Sequence, residues 1–221
     1  MKFLSILATF KNEESILKEW IDHHLQQGFD HLYLINNGST DNFLDVLSPY
    51  IANKLVTLYN LPQPYNRVNN YNYVFNIIKE NTEWLAVCDV DDYWYTPTGN
   101  IREFIEESNK QAWDAIVTFA TIKGCLAIEQ PTNIFKQCNL ELQHNVRIRS
   151  IARTSKIDIV NHDQHLLKSL AVIRFEQTNI CITNYKETSL ERFLHTRLYR
   201  SHPDRQDMQR NWSDFWLQLI D

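Results

Sequence analysis

Apolar residues recur along the first hundred positions with two alternating periods. Short apolar runs predict strands over 3–10, 31–36, 54–60 and 84–89. Between these runs, apolar residues at helical spacing predict helices over 13–27, 43–50 and 68–79. Strands that alternate with helices at this spacing are typical of βαβ units. The pattern therefore predicts an α/β fold with a mainly parallel sheet flanked by helices.

The second half of the chain has a less regular pattern. Strands are predicted over 115–120, 166–175 and 179–185, and a helix over 189–200. Residues 121–150 mix Gly, Pro, Gln and Asn without a clear period, so no element is predicted there. A turn over 37–41 separates the second strand from the second helix, and Thr40 or Asp41 is the expected N-cap of that helix.

Composition and charge narrow the class of protein. A chain of 221 residues that is 43% hydrophobic can build the core of one domain. Its formal charge of −5 disfavours nucleic acid as a partner. The apolar N-terminus is too short for a signal peptide, and no run approaches the roughly 20 apolar residues of a membrane helix.

The spacing of the cysteines indicates the redox environment of the chain. Cys88, Cys125, Cys138 and Cys181 are widely spaced and form no CxxC pair. This spacing favours a reduced, cytoplasmic chain over a disulfide framework or a zinc site.

Polar residues follow three of the predicted strands at the point where each ends. The clusters are Lys11-Asn12-Glu13, the segment 36–41 and the segment 89–92. Ligands of such sheets bind beyond the carboxyl ends of the strands. We therefore expect these three clusters to line a binding site.

The third cluster is acidic, with Asp89, Asp91 and Asp92 directly after an apolar strand. Carboxylates this close repel one another unless a cation neutralises them. Hard oxygen ligands select Mg²⁺ or Mn²⁺, which usually complete their shells with water and substrate phosphates. The cluster predicts a metal–diphosphate site; the alternative is a solvated turn in which Asp92 caps the following segment.

Four motifs in this order resemble the nucleotide-binding half of GT-A glycosyltransferases, in the group around glycosyltransferase family 2 and its family 92-like relatives. The resemblance covers residues 3–100. Its motifs are Phe10-Lys11-Asn12-Glu13, the helix from Leu17 through Trp20 and His23 to Gly28, the turn Asn36-Asn37-Gly38-Ser39-Thr40-Asp41, and the segment from Trp84 to Asp92. It implies a single GT-A domain, a Rossmann-like sheet flanked by helices.

The resemblance also implies roles for individual residues. Residues 8–13, including Phe10, Asn12 and Glu13, would line the nucleotide base, and Asn37 and Asp41 would lie near the base and ribose. Asp89 would contact the ribose and help hold the metal, Asp91 would be the main metal ligand, and Asp92 stands where glutamate is more usual.

After residue 100 the resemblance is weaker. The stretch 149–153 precedes His162 and His165 as in family 92-like chains, which makes His162 a candidate metal ligand. An isolated HxxH is otherwise more often a surface or capping feature. Asn184 stands where histidine is expected, and Thr188 where lysine is expected.

Together these expectations describe a transferase. The resemblance implies inverting transfer of a sugar from a nucleotide-diphosphate donor to an acceptor hydroxyl, with Mn²⁺ or Mg²⁺ as cofactor. The sequence does not identify the catalytic base that takes the proton of the acceptor hydroxyl. The two candidates are Asp163, beside His162, and Glu129.

Residues 1–100 would bind the nucleotide sugar, 101–185 the acceptor, and 186–221 would form a helical C-terminal extension. The acceptor is expected to be a glycan or lipid-linked, in surface polysaccharide or lipooligosaccharide synthesis. Arginines and aromatic residues of the extension make it a candidate for peripheral contact with the inner face of the membrane.

Three other functions compete with this interpretation. A dehalogenase-type phosphohydrolase needs its DxD on the first strand, and a nucleotidyltransferase needs a glycine-rich loop that residues 1–28 lack. The third is a sugar-nucleotide-binding module without catalysis, which the residues at 184 and 188 favour.

Overall fold

The computed structural model describes residues 1–61, 66–109, 111–124, 137–138, 140–161, 164–167, 171–176, 179–187 and 189. Within these residues the chain alternates strands and helices up to β4 and is mostly strand thereafter. The helices are α1 (Glu14–Gln26), α2 (Phe43–Ala52), α3 (Arg67–Ile78) and α4 (Ile101–Asn109), and a 3₁₀ turn covers Thr154–Lys156. The strands are β1 (Lys2–Phe10), β2 (His31–Asn36), β3 (Val56–Asn60), β4 (Thr82–Asp89), β5 (Asp92–Tyr95), β6 (Ala115–Gly124), β7 (Leu140–Arg153), β8 (Ile157–Asn161), β9 (Gln164–Leu167), β10 (Ile173–Phe175) and β11 (Cys181–Glu187).

Nine of the strands in the described residues form one sheet, in the order β3-β2-β1-β4-β7-β6-β11-β5, with β10 also paired to β6. The pairings among β1 to β4 are all parallel. The second half is mixed: β7 runs antiparallel to β4 and β6, and β11 runs parallel to β6 but antiparallel to β5. The predicted α/β class, with its sheet flanked by helices, is confirmed.

Two hydrophobic clusters cover the two faces of this sheet. In β1, Leu4 and Ile6 face the cluster that includes α1, whereas Leu7 faces the cluster built around α3. All six residues of β2 are buried, as expected for an interior parallel strand. This packing fixes the carboxyl ends of β1, β2 and β4 along one edge.

Several elements differ from the sequence-based predictions. The segment over 166–175 is not one strand, because β9 pairs with β8 whereas β10 pairs with β6. Within 121–150, where no element is predicted, β7 begins at Leu140. The strand β5 and the helix α4 are absent from the predictions as well.

The predicted C-terminal helix lies outside the described residues, apart from its first residue, Ser189. Ahead of it, β11 extends to Glu187, so the first two residues of the proposed extension 186–221 are strand. No helix in the part of the chain that the structure describes is long and apolar enough to cross a membrane.

The cysteine spacing predicts a fully reduced chain, but the structure contains a disulfide. Cys88 and Cys181 are free thiols, but Cys138 is disulfide-bonded. The expectation of a fully reduced chain is therefore wrong at Cys138. Separation along the sequence does not limit how close two cysteines come in the folded chain, and a disulfide requires that they lie within bonding distance there.

Candidate functional site

The three polar clusters lie along the same edge of the sheet. Strand register places Thr9 beside Asp89, and Phe10 beside Asn36. Asn36 in turn lies beside Asn60, and its amide donates to the Asn60 side-chain oxygen at 3.0 Å. The loops that follow β1, β2 and β4 therefore converge, as expected for the carboxyl ends of neighbouring parallel strands.

Asn12 ties the first two of these loops together. Its backbone has φ 54°, in the left-handed region that Asn tolerates better than most residues. Its Oδ1 accepts from the Thr40 backbone N–H at 2.7 Å, and its own N–H donates to the Ser39 hydroxyl at 3.0 Å. Asn12 is only 8% exposed. Its two hydrogen bonds hold the 36–41 turn in place.

Asp41 caps α1 rather than the helix that directly follows it. Its Oδ2 accepts from the Glu14 N–H at 2.9 Å, while the Glu14 carboxylate accepts from the Asn42 N–H at 2.9 Å. Asp41 thus bonds the start of α1, and Glu14 of α1 bonds the residue that precedes α2. The expectation that Thr40 or Asp41 is the N-cap of α2 is wrong, because Asn42 occupies that position. The other oxygen, Asp41 Oδ1, is buried without a hydrogen-bond partner among the described residues.

The remaining residues predicted to line the base are placed as follows. The Phe10 ring is 2% exposed and packs edge-on against Phe43, so it belongs to the core. Glu13 is 3% exposed and occupies the N-cap position of α1. Asn37 donates its backbone N–H to the Phe10 carbonyl at 2.9 Å and is partly exposed.

Asp89, at the end of β4, is paired with an arginine. The Arg67 guanidinium, from the first turn of α3, donates to Asp89 Oδ1 and lies over the Tyr71 ring. Both partners keep some exposure, 15% for Arg67 and 22% for Asp89. Tyr71 fixes this end of α3, because its hydroxyl receives the Thr9 N–H at 3.2 Å. Sequence analysis did not identify Arg67.

Asp92 is a structural residue, and the solvated-turn alternative is wrong. Its side chain is completely buried, and Oδ2 accepts from Arg149 Nε at 2.8 Å. The same oxygen receives the Asp89 backbone N–H at 3.2 Å. This buried ion pair joins β7 to the segment that follows β4, and it removes Asp92 from the set of acids that face a ligand.

Asp91 is partly exposed and lies beside β11. Its Oδ1 accepts from the Asn184 side-chain amide at 2.9 Å, and its carbonyl accepts from the Tyr185 N–H at 2.8 Å. The same amide also donates to Asp92 Oδ1 at 2.7 Å. The residue that stands in place of the expected histidine is thus in direct contact with the acidic cluster.

Three side chains of α1 form hydrogen bonds with the backbone of β5, the strand that begins at Asp92. Trp20 donates its indole N–H to the Asp92 carbonyl at 2.8 Å, and His23 Nε2 lies 2.6 Å from the Trp94 carbonyl. His24 Nε2 accepts from the Trp94 N–H at 3.3 Å, while its Nδ1 contacts the Trp20 carbonyl at 2.8 Å. Sequence analysis placed His23 on this helix but did not identify the hydrogen bonds that either histidine makes with β5.

These histidines are neutral at physiological pH. Burial lowers the pKa of His23 and lowers that of His24 well below its usual value, and the neighbouring His23 lowers it further. A neutral His24 is also what the geometry needs, because Nε2 must accept the Trp94 N–H. The Trp20–His24 side of α1 therefore acts as a fixed support for β5.

The donor set suits a hard divalent cation bound together with phosphates. With Asp92 paired to Arg149, Asp89 and Asp91 remain, and Mg²⁺ is commonly held by one or two carboxylates plus substrate phosphates. Within the described residues, no three His, Cys, Asp or Glu side chains gather into a metal cluster. His162, Asp163 and Glu129, the other predicted metal and base residues, lie outside the described residues, as does Thr188.

Comparison with solved structures defines the class of the fold. The N-terminal part of S. aureus TarS (residues 1–349) aligns with 97% of this chain and 69% of its own length, at 16% identity and a TM-score of 0.50. The same protein in complex with UDP aligns over the same shares, at 16% identity and a TM-score of 0.52. At this identity the likeness concerns the fold alone, and the fold is that of the GT-A glycosyltransferases.

The sequence comparison is more specific. The family model of glycosyltransferase family 92 matches residues 6–216, and the chain belongs to that family. A family 92 protein of Ricinus communis is 21% identical over 197 residues, which are 83% of this chain and 35% of the relative. One of Oryza sativa subsp. japonica is 22% identical over 193 residues, which are 83% of this chain and 33% of the relative. The chain thus spans about a third of the length of these relatives.

Proposed function

We propose that this chain is a glycosyltransferase that moves a sugar from a nucleotide-diphosphate donor to an acceptor hydroxyl, with inversion. The observation that supports it best is the position of Asp89 and Asp91. Asp89 ends β4 and Asp91 follows it, at the sheet edge where the loops after β1 and β2 converge. Family membership supports the reaction class, and the edge of the sheet supports a nucleotide as the ligand.

Asp89 and Asp91 would hold Mn²⁺ or Mg²⁺, with the donor diphosphate completing its shell. The ion supplies a Lewis acid that stabilises charge on the leaving diphosphate. The chain's own contribution is to place the two carboxylates. Asp89 ends β4, where it is paired with Arg67 in the protein alone, and β11 holds Asp91 through Asn184 and Tyr185.

The donor base and ribose would lie over the loops after β1 and β2. Asn12 and Asp41 brace these loops against each other, so the surface they present is already shaped in the protein alone. Asn37 is partly exposed beside them, whereas Phe10 and Glu13 would support the base from beneath because they are buried.

The acceptor would bind to the second half of the chain. Asp163 or Glu129 would take the acceptor proton, and His162 would add to the metal ligands. A glycan or lipid-linked acceptor in surface polysaccharide or lipooligosaccharide synthesis fits this reaction class. The C-terminal segment, rich in arginine and aromatic residues, would then touch the membrane surface.

A cytoplasmic location is part of this proposal, but the disulfide at Cys138 argues against it. Disulfides are rare in the cytosol, where thiols are kept reduced. Alkylation of the chain in intact cells, followed by mass spectrometry, measures the redox state of Cys138. A free Cys138 thiol would support the cytoplasmic location, and a bonded one would indicate an oxidising compartment.

A second candidate function is a sugar-nucleotide-binding module without catalysis. It is favoured by Asn184, whose amide occupies two carboxylates of the acidic cluster in place of an imidazole. Binding does not separate the two functions, because both need the donor. Release of free sugar or transfer to an acceptor, followed by mass spectrometry, separates them.

The first test is a thermal-shift panel of UDP, GDP, CDP and ADP, each with Mn²⁺, with Mg²⁺ and with EDTA. A ligand that binds only the folded chain, at 100 times its dissociation constant, stabilises it by about 2.7 kcal/mol. We expect metal-dependent stabilisation by one nucleotide that Asp91→Asn loses and Asp45→Asn retains, because Asp45 is exposed on α2. Absence of a shift with every nucleotide would overturn the proposal.

A further inference from the structure

Asn184 lies where β11 faces the acidic cluster. The antiparallel pairing of β11 with β5 places it directly opposite Asp92. Its side chain is buried, with an exposed fraction of 1%. A buried amide needs partners for its donors, and this one finds both of them in carboxylates.

The contacts of Asn184 are with two adjacent acids at once. Nδ2 donates to Asp91 Oδ1 at 2.9 Å and to Asp92 Oδ1 at 2.7 Å. Because Arg149 already holds Oδ2 of Asp92, that acid is fixed and serves as an anchor. Asn184 therefore links a fixed carboxylate to a partly exposed one.

We propose that Asn184 is a positioning residue that sets the orientation of the Asp91 carboxylate toward the donor diphosphate and its cation. This inference rests on the proposed function. Hydrogen bonds to a ligating carboxylate fix its orientation and tune its affinity for a metal. An amide suits this position because it donates two hydrogen bonds to neighbouring carboxylates, which would otherwise repel each other.

A purely structural role predicts different behaviour. Strand β11 is already paired along its length with β5 and β6, and the Tyr185 N–H holds the Asp91 carbonyl independently of the Asn184 side chain. If Asn184 only joined strands, its loss would lower stability and leave the cation site unchanged. If it positions Asp91, its loss changes cation binding in chains that remain folded.

The experiment compares wild type, Asn184→Ala, Asn184→Asp and Ile182→Val. Ile182 is a buried apolar neighbour on the same strand, so Ile182→Val reports general loosening of β11. Binding of MnCl₂ is titrated calorimetrically, alone and with UDP or whichever nucleoside diphosphate stabilises wild type. Melting temperatures are recorded in EDTA and in MnCl₂.

We expect Asn184→Ala to weaken Mn²⁺ binding by about 10- to 100-fold, the usual effect of losing a partner of a metal ligand. Ile182→Val should bind Mn²⁺ as wild type does. Asn184→Asp places a third carboxylate beside two others, so its melting temperature in EDTA should fall further than that of Asn184→Ala. Mn²⁺ should restore more of that loss than it adds to wild type.

Two results would overturn the inference, and they are distinguishable. Wild type that shows no metal-dependent nucleotide binding would remove the proposed function and this role with it. Wild type that binds, beside an Asn184→Ala that binds Mn²⁺ equally well and melts lower, would leave the proposed function intact and show Asn184 to be structural.

Discussion

Arg149 Nε lies 2.8 Å from Asp92 Oδ2, and the two side chains are only 2% and 0% exposed. This contact joins a strand of the second half of the chain to the segment that carries the acids. A fully buried carboxylate that already holds a guanidinium is not available to a diphosphate-bound cation. The pairing with Arg149 therefore gives Asp92 a structural role that differs from the role proposed for Asp89 and Asp91.

Removing one partner of this buried pair should strongly destabilise the chain. Asp92→Ala leaves the Arg149 charge buried without its counter-ion, which typically costs about 3–5 kcal/mol. Urea denaturation of wild type and variant gives the difference in the free energy of unfolding.

The matched control is Lys18→Ala, which breaks an exposed helical pair with Asp22 and should cost less than about 1 kcal/mol. The double variant Asp92→Leu with Arg149→Met should regain much of the loss, because it leaves no unpaired charge. Similar stability of Asp92→Ala and Lys18→Ala would contradict the buried pair.

The histidines of α1 should make stability depend on pH. Burial lowers the pKa of His24 well below 6.5 in the folded chain, whereas the unfolded chain keeps the ordinary value of about 6.5. As the pH falls below about 6.5, the unfolded chain therefore binds more protons than the folded chain. The free energy of unfolding should fall by up to about 1.4 kcal/mol per pH unit for this residue.

Urea denaturation between pH 5 and pH 8 measures this slope. His24→Gln should reduce the slope below pH 6.5 and leave stability flat above pH 7. His23, whose pKa is also lowered by burial, should contribute a further share in the same direction. A variant with the wild-type slope would show that His24 titrates equally in both states.

The first half of the fold could be predicted because its periods are clear and its interior strands β1, β2 and β4 are mostly buried. The second half could not, since β7 reverses the usual rule: Ile148 is 41% exposed whereas Arg149 is buried. Arg149 is buried because Asp92 pairs with it, and that partner is 57 positions away. A hydrophobicity pattern does not contain such a pairing.

In the candidate site, too, some residues are recognisable from local sequence and others depend on distant contacts. The acids and the loops after β1 and β2 stand out locally, as charge or turn residues directly after apolar runs. Arg67 and Asn184 do not, because each meets the acids only through the packing of α3 or β11. Trp20 and His24 were visible as a helical face, but their hydrogen bonds to β5 depend on tertiary structure.

Two left-handed residues should respond oppositely to glycine. Lys54 has φ 58° and an exposed side chain, so Lys54→Gly should raise stability by up to about 1 kcal/mol. Asn12 has φ 54°, but Asn12→Gly removes the acceptor of the Thr40 N–H and should lower stability by about 1 kcal/mol. Urea denaturation of both variants checks the pair, and stabilisation by both would show that the Asn12 side chain contributes nothing.

Arg67 should compete with a cation for Asp89. Its guanidinium donates to Asp89 Oδ1, an oxygen that the proposed metal site would use. Arg67→Met removes that positive charge and leaves the carboxylate in place, so MnCl₂ alone should bind several-fold more tightly to this variant than to wild type. Calorimetric titration without nucleotide measures the change.

The control is Arg102→Met, which breaks the comparable pair of Arg102 with Asp30. Asp30 precedes β2 at the opposite end of that strand from the site, so Mn²⁺ affinity should not change in this variant. The comparison also isolates the local effect, because both variants make the net charge of the chain more negative by one. Unchanged Mn²⁺ binding in Arg67→Met would mean that the cation does not bind at Asp89. Weaker binding would mean that Arg67 orients Asp89 for the cation instead of competing with it.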